Sequence, residues 1–243
     1  MPAIPRIYTA SDLAISNTVQ LEGASAHHLT NVLRVKLGDC INLFNGDGHH
    51  YLSKIIQIKR QQLTVEVLTQ SSASRPSQLN IHLIQGIARG EKMDWIIQKA
   101  VELGVETITP LLSERTQVRS RSLTPNKLNH WQKVLISATE QCGRNRLATL
   151  HPPQLINQIK PSDGLCLALH PGEQNQWPIL TSSNINRLTL AIGPESGFSD
   201  TDLQVLQDRG FQMTRMGPRI LRSETAPLTA ITIAQSLWGD LLL

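Results

Sequence analysis

Two stretches near the C-terminus combine glycine, proline and clustered charge in a pattern suited to gripping a small ligand. They are Ile192-Gly193-Pro194-Glu195-Ser196-Gly197-Phe198 and, further along, Met216-Gly217-Pro218-Arg219-Ile220-Leu221-Arg222-Ser223-Glu224-Thr225-Ala226. Glycine lets a backbone approach a ligand because it lacks a Cβ and accepts positive φ. Proline beside it sets the turn and removes a competing donor. One Gly-Pro turn is ordinary punctuation of a βα unit. The second turn changes the reading, because Arg219, Arg222 and Glu224 crowd around Ile220 and Leu221 and need partners or solvent. Charges gathered around a cleft often mark function.

The positions of these turns strengthen the case. Each follows a run that reads as a buried strand, Leu188–Ile192 and Phe211–Met216, and each precedes a helix-like stretch. Ligands of open α/β sheets bind beyond the carboxyl ends of strands. The spacing therefore predicts one shared small-molecule site built from both turns.

The rest of the chain supplies the elements that must hold that site. Residues 1–72 read as a small β-rich domain, with strands at Val19–Leu21, Cys40–Phe44, Leu52–Ile58 and Leu63–Leu68 by alternation and β-branching. Asn45-Gly46-Asp47-Gly48 is a hairpin turn, and a short helix spans Ser25–Leu33. Several short strands in so little chain suggest a small barrel. Gln70–Ser77 has the composition of a linker. From 73 to 243 strand and helix alternate. Strands are expected at Asn80–Ile87, Glu106–Leu112 and Leu165–Leu169. Helices are expected at Glu91–Leu103, ended by Gly104, from Thr124-Pro125 to Cys142, from a Ser199/Asp202 cap to Gly210, and from Pro227 onward. This alternation implies an α/β domain with a mostly parallel sheet covered on both faces.

Composition narrows the function classes. The chain has 243 residues, 40% of them hydrophobic, and no run reaches the roughly 18 apolar residues of a membrane span. Met1–Arg6 lacks a secretory apolar block. Cys40, Cys142 and Cys166 lack metal-ligand spacing, which suits reduced thiols in a cytoplasmic protein. His49-His50 could mimic a metal site, but neighbours on a strand point to opposite faces, so no metal is expected. The formal charge is +4, yet Ser113–Arg146 alone holds seven cations (Arg115, Arg119, Arg121, Lys127, Lys133, Arg144, Arg146) against Glu114 and Glu140. Such a basic stripe is the electrostatic footprint expected for nucleic acid. With aromatic residues at 4%, phosphate contacts rather than base stacking would carry the binding.

Gly193-Pro194-Glu195-x-Gly197-Phe198 together with Arg219-Ile220-Leu221-Arg222-x-Glu224-Thr225-Ala226 resembles the knotted SPOUT methyltransferases, and within them the ribosomal small subunit methyltransferase E (RsmE) family. The resemblance runs along nearly the whole chain. His28-Leu29-x-x-Val32-Leu33-Arg34 with Gly38-Asp39 is similar to the family's PUA-like RNA-binding module. Lys92 with Gln98–Val105 is similar to its signature helix, and Glu114-Arg115 with Glu140–Arg144 to its central motifs. Two departures stand out. Ser196 occupies a position where the family commonly has glycine, and Asn145–Leu150 replaces an early proline after Arg144.

The resemblance implies a trefoil knot in the C-terminal chain and S-adenosylmethionine (SAM) bound in its cleft. It implies 16S rRNA of the small ribosomal subunit as substrate, N3 of a uridine as the methylated atom, and a homodimer. Backbone groups of Leu169, Gly193, Met216 and Leu221 would grip adenine and ribose. Ile192, Ile220 and Leu221 would wall the cleft, with His170, Pro194, Glu195, Gly197, Gly217 and Arg219 around the cofactor. Uridine N3 must lose a proton, so Glu140 or Glu224 could act as base and Arg144 or Arg222 as anion stabiliser; Glu224 could instead brace the fold by pairing with an arginine. Arg6, Arg34, Arg115, Arg119 and Arg121 are the expected RNA contacts. Two other readings stay open: a SPOUT enzyme acting on a ribose 2′-hydroxyl or a tRNA base, and a non-catalytic RNA-binding ribosome-assembly factor.

Overall fold

Alternating apolar residues build the first sheet, and near-continuous apolar runs build the second. The computed structural model describes residues 4–60, 62–72, 77–117, 123–160, 163–172, 175, 177 and 185–242. The chain divides into two compact units, Met1–Arg75 with Thr139–Leu147, and Pro76–Ala138 with Ala148–Leu243.

In the first unit, β1 (Arg6–Tyr8), β2 (Thr18–Glu22), β3 (Cys40–Phe44), β4 (His50–Lys59) and β5 (Gln62–Ser71) form one sheet in the order β1-β3-β4-β5-β2. Only the β1–β3 pair is parallel. Register shifts in the β4–β5 ladder at Leu52/Ser53 and Ile55/Gln57 curl the sheet, because an extra residue bends a strand and increases its twist. The inward residues Val19, Leu21, Ile41, Leu43, Ile55, Leu63 and Val65 close on Leu29 as one core. The expected helix starts at Gly23 as α1 (Gly23–His27) and widens into a π-helical turn, His28–Val32. Gln70 and Ser71 of the expected linker belong to β5, and residues 73–76 lie outside the described residues.

A returning segment, unmarked by any pattern of residues, completes this unit. The Arg6 Nη2 donates to the Arg144 carbonyl at 3.0 Å and to Asn145 Oδ1 at 2.6 Å. The Tyr8 N–H donates to Glu140 Oε1 at 2.9 Å, and Arg146 reaches the Asp47 carbonyl at 3.4 Å. Thus 139–147 is held by β1 and by the β3–β4 hairpin turn.

The second unit is a parallel α/β sheet. Its strands are β6 (Asn80–Gly86), β7 (Thr107–Leu112), β8 (Thr149–Leu150), β9 (Gln154–Leu155), β10 (Leu165–Leu169), β11 (Arg187–Ile192) and β12 (Gln212–Thr214). They are ordered β12-β10-β11-β6-β7-β8, with β9 also on β7, and every described pairing is parallel. The connecting helices are α2 (Lys92–Glu102), α3 (Pro125–Cys142), α4 (Asp200–Asp208) and α5 (Thr225–Trp238). The last turn of α3 groups with the first unit. Ile81, Leu83 and Ile84 of β6 and Leu188, Leu190 and Ala191 of β11 are fully buried, as expected for strands covered on both faces. Gly104, at φ +87°, follows the end of α2, and Ser199 with Asp202 forms the capping box of α4. β8 and β9 are two residues each, too short to carry a periodic signal.

One buried pair in this sheet has a pH signature. His82 on β6 lies 2.8 Å from Thr109 Oγ1 on β7, and its ring packs edge-on against His151. Burial first, and the nearby His151 second, pull the His82 pKa from 6.5 down to about 4. The folded state thus favours the neutral imidazole. Its stabilisation is complete above pH 6.5 and is lost as the pH falls toward 4, because the unfolded chain binds the proton first. We expect His82→Gln to remove up to about 3 kcal/mol of the acid-side loss of stability between those limits. Urea denaturation at stepped pH checks this; an unchanged acid limb would rule out His82 as its source.

Candidate functional site

The order of the second sheet reverses at β10. β11 lies on one side of it and β12 on the other, so three adjacent parallel strands end at the same edge. Such a reversal opens a crevice at the carboxyl ends of strands. Leu169 and His170 leave β10, the first turn leaves β11, and the second leaves β12. β12 stops at Thr214 rather than at Met216, which frees Arg215 and Met216 to become cavity wall. The open cleft they line has a volume of about 580 Å³.

Leu169, His170, Ile192, Gly193, Pro194, Glu195, Gly197, Met216, Gly217, Arg219, Ile220 and Leu221 all line this cavity, and so do Arg222 and Glu224. Arg115 joins them, whereas Glu140, Arg144, Arg6 and Arg34 belong to the first unit. There the Glu140 carboxylate takes the Tyr8 N–H. Burial pushes its pKa up against the opposing pull of that N–H, His28 and Arg6. Arg6 is engaged by Arg144 and Asn145 and stacks over the Phe44 ring at 5.2 Å. Arg34 is exposed and holds the left-handed backbone at φ +53°. Arg119 and Arg121 lie outside the described residues. Lys127, also counted in the basic window, is 3.4 Å from Asp94 Oδ1.

The turns need their glycines for two reasons. Gly197 at φ +69° and Gly217 at φ +64° take a conformation that L side chains rarely adopt. Gly86, at the end of β6, instead gives space: a Cβ there would lie 2.3 Å from Pro194 N and 2.6 Å from Gly193 C. Gly86 lies outside both glycine-rich motifs. Its signal was available only as a glycine at the end of a buried strand, where a close backbone approach is one reading.

Ser196 fits the first turn without positive φ, since Ser16 and Arg34 are the only non-glycine residues with positive φ among those described. Its hydroxyl donates to the Arg115 carbonyl at 2.7 Å. Nearby, Ser199 Oγ donates to Glu114 Oε2 at 2.5 Å, and the Glu114 N–H donates to Asp202 Oδ1 at 3.2 Å. The Glu114-Arg115 loop is therefore stitched to the first turn and to the start of α4. We expect Ser196→Gly to weaken turnover by about three- to tenfold, the worth of one modest hydrogen bond, and Ser196→Thr to preserve it. Equal turnover for the glycine variant and the unmodified protein would remove Ser196 from this role.

Charge at the cavity is organised by Lys92, a second residue that the motif reading left without a role. Its Nζ is 3.4 Å from Glu195 Oε1 and 3.4 Å from Glu224 Oε2. Burial pushes the Glu195 carboxyl up, but the Arg89 N–H at 3.0 Å, its own backbone N–H and Lys92 together hold it below its ordinary value. Glu224 behaves alike: burial raises it, and its own backbone N–H, the Ser223 hydroxyl and Lys92 outweigh that effect. Both carboxylates are thus ionised at neutral pH. Arg222 Nη1 is 4.0 Å from Glu224 Oε1, with its side chain 83% exposed. Beside it Ile220 is also 83% exposed.

Among the described residues, no group of three or more His, Cys, Asp or Glu side chains could hold a metal ion. None of the described helices is long and apolar enough to cross a membrane.

Comparison with known proteins places this geometry in context. Residues 75–235 match the model of an RNA methyltransferase domain, and residues 21–68 that of an RNA methyltransferase PUA domain. The chain is 35% identical to ribosomal RNA small subunit methyltransferase E of Buchnera aphidicola (subspecies Acyrthosiphon pisum), over 98% of this chain and 95% of that one. Among solved structures it resembles Lpg2936 of Legionella pneumophila in complex with bound cofactor SAM. That match has a TM-score of 0.93 and 36% identity, over 98% of this chain and 100% of the other. It also resembles ribosomal RNA small subunit methyltransferase E of Neisseria gonorrhoeae bound to SAM, with a TM-score of 0.90 and 35% identity at the same coverage.

Proposed function

Because the chain belongs to the RNA methyltransferase domain family, with that family's PUA domain ahead of it, we propose that it is a SAM-dependent methyltransferase of small-subunit ribosomal RNA, acting on N3 of a uridine in 16S rRNA. One observation carries this reading: the two glycine-rich turns and the end of β10 converge on one cavity. Its volume of about 580 Å³ lies within the roughly 300–1,000 Å³ usual for small-ligand sites.

The residues present fit SAM. Backbone groups of Leu169, Gly193, Met216 and Leu221 stand where an adenosine could be gripped, and Ile192, Ile220 and Leu221 supply apolar wall. His170 lines the same cavity, and its Nδ1 is buried without a partner among the described residues, a polar atom that a ligand could satisfy. Bound SAM supplies a methyl group already activated by its sulfonium. The chain's own task is to orient the uracil and to manage its N3 proton. Arg222, exposed at the cavity mouth, stabilises the anion left when that proton goes. Glu224 is held ionised by Ser223 and Lys92, and the brace role suits it better than that of base. A uridine N3 is hidden in base pairs, so the target must be unpaired or flipped out.

Residues 1–72 serve as the RNA-binding module and 73–243 as the catalytic one, with Arg34 and Arg115 among the phosphate contacts and Arg119 and Arg121 following Arg115 in sequence. The C-terminal chain is threaded as a trefoil knot, a reading supported by the two glycine-rich motifs that resemble those of the knotted SPOUT methyltransferases. The enzyme works as a cytoplasmic homodimer.

Incubation with methyl-labelled SAM and small subunits lacking the modification, followed by nucleoside analysis, tests the proposal. Labelled 3-methyluridine is expected. Label on a ribose 2′-hydroxyl or on another base would overturn the target and leave methyl transfer standing. SAM binding without label on any ribosomal RNA would count against small-subunit rRNA as the substrate.

A further inference from the structure

Lys92 is the first residue of α2 and lies far in sequence from both glycine-rich turns. Its Nζ is nevertheless within 3.4 Å of a carboxylate from each of them, Glu195 after β11 and Glu224 after β12. Glu195 Oε1 also receives the Arg89 N–H from the connection just before α2. The first turn is therefore tied twice to the start of α2, through Arg89 just before the helix and through Lys92 at its first position. For the second turn, Lys92 is the described ion-pair partner from outside its own sequence, because Arg222, at 4.0 Å from Glu224, belongs to that same turn.

Removing the ammonium would leave two ionised carboxylates within the reach of one lysine. Like charges that close, with side chains only 24% and 18% exposed, repel more strongly than they would in bulk water. That repulsion favours turns standing farther apart, and the cavity lies between them. The charge of Lys92 thus acts on the width of the cleft.

We propose that Lys92 is a positioning residue for methyl transfer: by neutralising Glu195 and Glu224 together it sets the separation of the two turns, and with it the fit of the methyl donor. This inference rests on the reading of the cavity as the SAM site. Lys92 acts through the turns, and two features of its role can be tested. It needs a positive charge rather than a particular shape. Its loss should also be repaired by deleting one of the charges it neutralises.

Titration calorimetry of SAM into the full-length chain provides the test, with turnover measured in parallel. We expect Lys92→Met, which keeps the length of the side chain, to weaken SAM binding by about five- to tenfold, the combined size suited to two partly exposed ion pairs lost together. Lys92→Arg should stay within about threefold of the unmodified protein, since the charge is kept. The double variant Lys92→Met/Glu195→Gln should recover most of the loss. A residue that only packs would not be rescued by neutralising the carboxylate beside it. If Lys92→Met does not fold, Lys92→Gln, which removes the charge and keeps a polar side chain, is measured instead with the same rescue. Undiminished SAM binding in Lys92→Met, or in Lys92→Gln if that variant is used, overturns the proposal, as does failure of Glu195→Gln to rescue. Absence of SAM binding in the unmodified chain overturns the assignment of the cavity itself, and the role of Lys92 with it.

Discussion

Replacing Gly86 by alanine should lower methyl transfer by about 100-fold, although no side chain at that position faces the cavity, because small misplacements at a reacting centre carry penalties of that order. A Cβ at Gly86 would stand 2.3 Å from Pro194 N, 2.6 Å from Pro194 Cδ and 2.6 Å from Gly193 C. These are backbone and ring atoms with no rotamer to turn aside, so the first turn must shift. Gly86 itself cannot yield easily, because it is paired with Leu111 in the β6–β7 ladder. The turn is also held at Glu195 by the Arg89 N–H and by Lys92, so a shift would strain those ties as well. The overpacking should cost about 1–3 kcal/mol of stability, which a domain of this size can survive. Circular dichroism melting, SAM calorimetry and turnover measured together check the result. A folded Gly86→Ala protein with unmodified SAM affinity and turnover would contradict this account of the turn.

Arg222→Ala should lower turnover by about 10²–10³-fold, the range found when one oxyanion-stabilising donor is lost, while SAM affinity stays within about threefold. The asymmetry follows from geometry. The Arg222 side chain is 83% exposed and approaches Glu224 only at 4.0 Å, so little packing or pairing depends on it. Its position on the cavity lining suits a charge that becomes useful when negative charge develops on substrate. Uracil N3 loses its proton more readily as pH rises, so the deficit of the variant should shrink toward alkaline pH. Single-turnover rates across that range, with SAM binding measured separately, check this. Unchanged turnover would remove Arg222 from the mechanism, and a parallel loss of SAM affinity would make it a cofactor contact instead.

Much of this molecule is legible in its residues. Leu188–Ile192 reads as a buried strand and forms β11, because a strand covered on both faces has no polar positions to alternate. Gly104 after a helical pattern and Ser199 with Asp202 before one mark helix ends that the structure keeps, since caps depend on local backbone groups. The expected small barrel takes the form of a curled five-stranded sheet. Other features escape a reading by pattern. β1, β8 and β9 have three residues or fewer and exist because a neighbouring strand offers hydrogen bonds. The Phe211–Met216 run gives only Gln212–Thr214 as strand, because its last residues are drawn into the cavity wall.

The residues alone determined the composition of the site: which turns carry glycine, where the charges cluster, and that strands precede them. Those are local properties, set by backbone freedom and by the chemistry of neighbours in sequence. Only the tertiary structure decided which groups meet. It brought Lys92 to two carboxylates, pressed Gly86 against Pro194, hung the Arg115 loop on Ser196, and drew Arg6, Glu140, Arg144 and Asn145 together in the first unit. The physical reason is that strand order and side-chain reach fix such pairings, and neither is written in the spacing of residues along the chain.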